Sequence, residues 1–107
     1  MIYLAAPYSH PDSTVRVARF NAVTRYAADL LKQGVMVFSP ITHSYPIACV
    51  SDIGDSFAVW EQWNLDMLRR CDELWVLQLD GWKESIGVER EITEAIAMEI
   101  PRQYKQP

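Results

Sequence analysis

The run Val35-Met36-Val37-Phe38 contains no polar residue and is halted by Ser39-Pro40. A strand with one face in water alternates apolar and polar residues, so an unbroken run of strand length belongs to a sheet covered on both faces. Two further runs of strand length are apolar or nearly so: Ile2 to Ala6, closed by Pro7-Tyr8-Ser9-His10-Pro11, and Leu74-Trp75-Val76-Leu77-Gln78-Leu79, broken by Gln78 alone, which leads into Asp80-Gly81. Between the first two, Val15, Ala18, Ala22, Val23, Tyr26, Ala27, Leu30 and Leu31 form a one-sided stripe, with Asp12 or Ser13 to cap it and Gly34 to stop it. Strands alternating with amphipathic helices imply right-handed crossovers and parallel pairing.

The predicted fold is therefore α/β, a three-layer sandwich around a small, mostly parallel sheet of four to five strands, wound in a flavodoxin- or Rossmann-like manner. At 107 residues the chain has room for one core, and residues 1–107 are read as a single domain. Thr42 to Asp55 carries Pro46, Gly54 and several hydroxyls without a sustained period, which predicts a long loop with one helical turn from Pro46 to Val50. Asp55 or Ser56 then caps a helix whose inward face is Phe57, Trp60, Asn64, Met67, Leu68 and Cys71. Ser85 or Gly87 opens a last helix, striped by Val88, Ile92, Ala95 and Ile96 and running to about Glu99, and a short fourth strand is expected near Arg102 to Tyr104.

Charge and cysteine content exclude several classes. The formal net charge is −4 and no Lys/Arg run occurs, which argues against a nucleic acid polymer as partner. Cys49 and Cys71 lack metal-ligand spacing and do not make a disulfide framework, so both are read as reduced thiols of a cytoplasmic protein. The apolar start Met1 to Ala6 has no basic flank and is too short to span a bilayer, so no membrane is expected. His10 and His43 lack the paired spacing of a metal site, and no cofactor is called for.

In sheets of this kind small ligands bind beyond the carboxyl ends of the strands. That rule gathers Pro7 to His10, Ser39 to His43 and Asp80 to Ser85 on one edge. Ser85 and Gly87 open a helix whose free N–H groups suit an anion, or act in capping alone. Glu91 lies at the edge of its helix stripe, one turn beyond Val88, where a carboxylate is partly desolvated; such tension is common at active sites, though a surface ion pair is the alternative reading. Asn64 is either a satisfied interhelical amide or a donor aimed into the pocket. His43 is a candidate ligand contact, and Trp82 either covers the core or offers a ring to a nucleobase.

Three blocks together resemble the nucleoside 2-deoxyribosyltransferase superfamily, in particular a short branch found in bacteria and phages. They are Ile2 to Ser9, Phe38-Ser39-Pro40-Ile41-Thr42-His43, and Asp80-Gly81-Trp82 through Ser85-Ile86-Gly87-Val88 to Glu91. The last block is also similar to the 2′-deoxynucleoside 5′-monophosphate N-glycosidases of that superfamily. The resemblance implies that Glu91 attacks the anomeric carbon of a deoxyribose and displaces the base, through an oxocarbenium-like transition state. It implies further that Tyr3 touches this nucleophile, that Pro7, Tyr8 and Ser9 line the sugar or phosphate site, and that Ser85 contacts phosphate. One position departs: where the superfamily usually carries an aspartate to protonate the leaving base, this chain has Asn64, and an amide is no general acid. Asp66 falls on the opposite helix face, so Asp80 is the better substitute.

The expected function is N-glycosidic cleavage or deoxyribosyl transfer on a nucleoside or nucleoside 5′-monophosphate. The alternative is a non-catalytic nucleotide-binding or sensing module of the same fold. Trp60, Trp63 and Tyr45 either pack inside or close a homo-oligomer, a dimer or higher, and the oligomer is the expectation.

Overall fold

The computed structural model describes residues 1–52 and 57–107. Asp55 and Ser56, the predicted caps of the third helix, lie outside the described residues, as do Gly54 and the side chain of Phe57. The elements run β1 (Ile2–Ala5), α1 (Ser13–Lys32), β2 (Val37–Phe38), α2 (Pro40–Val50), α3 (Phe57–Arg69), β3 (Glu73–Leu77), a 3₁₀ turn (Trp82–Glu84), α4 (Ile86–Ala97) and β4 (Arg102–Lys105). All neighbouring strands pair in parallel, in the order β2-β1-β3-β4. The fold is thus the expected α/β sandwich, with four strands among the described residues.

Alternation along the central strands sorts the core into two halves. Tyr3, Ala5, Leu74 and Val76 face α3 and α4, where Leu68, Cys71, Val88 and Ala95 close over them. Leu4 and Leu77 face the other way, against Val23 and Ala27 of α1 and Ile41 of α2. The Asp12 carboxylate caps α1 by accepting from the Thr14 N–H at 2.8 Å, and Gly34 leaves the helix end at φ +83°. That sign of φ suits glycine.

Two predicted elements differ. The second strand is shorter than its apolar run, because Val35 donates its N–H to the Leu30 carbonyl and closes the end of α1 instead of joining the sheet. Much of the loop expected from Thr42 to Asp55 is instead helical, within the three-turn helix α2 (Pro40–Val50). Pro40 sits in its first turn, where a missing N–H costs nothing. Pro46 interrupts the helix interior, which disfavours it, but packing against α1 prevails. The Tyr45 ring stacks on Phe20 of α1 at 4.3 Å, and the hydroxyls of Thr24, Thr42 and Ser39 form a chain with links of 2.7 and 2.8 Å. Among the described residues no helix is long and apolar enough to cross a membrane.

Candidate functional site

From β1 the chain crosses to β2 on one side, and from β3 to β4 on the other, so the strand order reverses between β1 and β3. Loops leaving two such strands diverge and open a crevice at their carboxyl ends. A cavity of about 370 Å³ lies there. It is walled by Tyr8 and Ser9 after β1, by Ile41 and Tyr45 of α2, by Trp60, Glu61 and Asn64 of α3, and by Ser85, Gly87, Arg90 and Glu91 at the start of α4.

The loops that frame it are tied together by one side chain. Arg19 of α1 donates from Nη1 to the Ser9 carbonyl at 2.9 Å and from Nη2 to the Asp80 carbonyl at 3.1 Å, bridging the segments after β1 and β3. Gly81 beside it has φ +89°, a left-handed conformation that favours glycine, and a Cβ there would push the Arg19 guanidinium aside. Ser85 then starts α4, its Oγ accepting from the Val88 N–H at 3.2 Å.

Glu91 follows Val88 by one turn on the buried side of α4 and is only 7 % exposed. The Tyr3 hydroxyl, wholly buried on β1, donates to its Oε2. Burial raises the Glu91 carboxyl and the Tyr3 hydrogen bond pulls it partly back, and the balance lies at about 7. Tyr3 itself is pushed well above the usual phenol range, first by burial and then by the Glu91 charge. Among the described residues the Glu91 carboxylate thus has a neutral donor that itself resists ionisation. In Tyr3→Phe the Glu91 carboxyl should titrate at higher pH than in the wild type, by about one pH unit, since only burial then acts on it. Carboxyl ¹³C shifts followed across a pH titration would measure this; an unmoved or lower midpoint would contradict it.

Asn64 also lines the cavity, and its buried Oδ1 has no hydrogen-bond partner among the described residues. Asp66, by contrast, is exposed and paired with Arg69 at 2.8 Å. Of the other residues singled out in the sequence, Tyr8, Ser9, Ser85 and Gly87 stand in the wall. Tyr3 and Pro7 are buried behind it. Asp80 is exposed and outside the wall, engaged through its carbonyl. His43 is not in the wall either: its ring stacks on Trp63 at 5.3 Å and tilts against Phe38. Trp82 packs on the α3/α4 side of the core and beside Tyr104 at 5.7 Å, outside the cavity.

Sequence reasoning passed over Arg90 and Glu61, which pair across the wall between α4 and α3. The local signal was present, because Glu61 and Asn64 share a helix face at i, i+3 and Arg90 follows Gly87 by the same interval. The α2 contribution was hidden by the loop reading, although Ile41, Tyr45 and Ala48 recur at helical spacing.

A family model described as Domain of unknown function (DUF1937) matches residues 1–104, and the chain belongs to that family. No curated protein matches the chain.

Proposed function

We propose that the cavity is the active site of an N-glycosidase or deoxyribosyltransferase acting on a nucleoside or nucleoside 5′-monophosphate, with Glu91 as the nucleophile. The observation that carries this reading is the Glu91 carboxyl, buried in the wall of a cavity at the strand-order reversal, with the Tyr3 hydroxyl as its hydrogen-bond donor. A volume of about 370 Å³ lies within the range of small-ligand pockets, and Trp60 and Tyr45 supply flat apolar walls beside polar ones.

In the first step a Glu91 oxygen forms a bond to C1′ of the sugar, and the electron pair of the C1′–N bond leaves with the base, which takes up a proton from solvent water. The positive charge that develops at C1′ is stabilised by the carboxylate, whose Coulomb attraction is stronger in a dry site than in water. In the second step water or a second base attacks C1′ and loses a proton to solvent while the C1′–O bond to Glu91 breaks, which frees the sugar or completes a transfer and restores the carboxylate. Tyr3 positions the nucleophile and keeps part of it ionised at neutral pH, by opposing the effect of burial. Asn64 orients the base through its amide but supplies no proton.

Chromatography of reactions with nucleosides and 5′-monophosphates, with and without an acceptor base, tests the proposal. Free base from at least one of them is the expected result, and its rate should fall on acidification below about pH 7, as Glu91 is protonated. The second reading, a nucleotide-binding module without turnover, is favoured by the amide at Asn64; binding by calorimetry with no base released from any substrate would select it.

A further inference from the structure

The cavity wall holds an ion pair for which the glycosidic step has no use. Arg90 of α4 donates through Nη2 to Oε1 of Glu61 on α3, and both residues line the cavity. The Arg90 side chain is 58 % exposed and that of Glu61 19 %, so the arginine is the more solvent-accessible partner. Glu61, Glu84 and Glu91 are the acids among the described lining residues, and Arg90 is the cation.

Such a half-exposed pair contributes little to folding, because solvent screens it and two long side chains are held still. It is correspondingly easy to exchange. A guanidinium presents two parallel N–H groups to any oxyanion, and a phosphate dianion matches that fork with more charge than a single carboxylate. A cavity with three carboxylates repels anions unless one cation is made available to them.

We propose that Arg90 is the receptor for the 5′-phosphate of the substrate and that Glu61 is its resting counter-ion, displaced when the phosphate arrives. This deepens the function proposed above and rests on it for the nucleoside part of the ligand. The substrate class becomes nucleoside 5′-monophosphates. A nucleoside without phosphate leaves the Arg90–Glu61 pair closed, whereas a monophosphate replaces one charge-assisted contact by a stronger one, so selection is made by exchange at Arg90. Arg90 directly precedes Glu91 on α4, which couples the position of the phosphate to that of the nucleophile.

Calorimetric titration with the four common 2′-deoxynucleoside 5′-monophosphates and their nucleosides tests this in the wild type, Arg90→Met, Arg90→Lys and Glu61→Gln. The wild type should bind at least one monophosphate about 30-fold or more tightly than its nucleoside. Arg90→Met should collapse that ratio to about threefold or less, Arg90→Lys should fall between, and Glu61→Gln should tighten monophosphate binding several-fold by removing the competitor. Circular dichroism checks that each variant is folded. Equal affinity for both ligand classes in the wild type, absence of monophosphate binding at millimolar concentration, or a ratio that survives Arg90→Met would each overturn the proposal. Because the readout is binding, the two readings separate. A ratio that depends on Arg90 without base release would uphold the phosphate receptor and sink the glycosidase. Base release with a wild-type ratio near one would do the reverse.

Discussion

Glu91→Gln should lower base release by about 10⁴-fold or more, which corresponds to about 5 kcal/mol of lost transition-state stabilisation. An amide of the same size keeps the shape of the wall and still accepts the Tyr3 hydroxyl, so neither the cavity nor the position of α4 is disturbed. What it loses is the oxygen lone pair of an anion, and with it both the covalent capture of C1′ and the charge facing the oxocarbenium-like centre. The measurement is base release under single-turnover conditions at pH 8, where the wild-type carboxyl, titrating at about 7, is largely ionised. Glu89 provides the control, since it lies two residues away on the same helix and is exposed. Glu89→Gln should change the rate by less than about twofold. A Glu91→Gln protein that releases base at the wild-type rate would remove Glu91 from the chemistry altogether.

The inward position of Glu91 on its helix is legible in the sequence because its environment is specified locally. Val88 and Ala95 sit one turn to either side at helical spacing and Ser85 fixes the start, so the helix face is set within eleven residues. The parallel sheet was legible for a similar reason, because each strand of β1, β2 and β3 is read from its own apolar run. Features that depend on a distant partner were not. Helix α2 packs on Phe20 and Thr24 of α1, and the segment from Pro40 to Val50 does not name these partners, although its apolar residues recur at helical spacing. The Arg90–Glu61 pair joins residues 29 apart in sequence. Trp82 and His43 show another limit: a ring after a strand end is visible in the sequence, but the direction of the turn that follows decides its fate. The 3₁₀ turn over residues 82–84 carries Trp82 toward Tyr104, and the first turn of α2 carries His43 toward Trp63, both away from the cavity.

The substitution that abolishes turnover should also stabilise the protein, and only on the alkaline side. Burial, net of the Tyr3 hydrogen bond, raises the Glu91 carboxyl from 4.5 to about 7, so the folded chain holds this proton more tightly than the unfolded chain does. The associated stability is fully present below about pH 4.5 and is lost as pH rises through about 7, where the charge must form inside the wall. The interval corresponds to about 3 kcal/mol. Glutamine never ionises, so the advantage of Glu91→Gln over the wild type should be small at pH 4.5 and grow to about 3 kcal/mol by pH 8.5. For a domain of this size that is a rise of about 10–20 °C in melting temperature. Urea denaturation of both proteins at the two pH values reads the difference directly. An acid kept for the sake of the fold gives the opposite pattern, since neutralising one partner of a stabilising pair weakens the fold at alkaline pH. A Glu91→Gln protein less stable than the wild type at pH 8.5 would therefore count against the site. A more stable, inactive one would mean that the folded state tolerates an unfavourable buried charge whose return lies in chemistry at C1′.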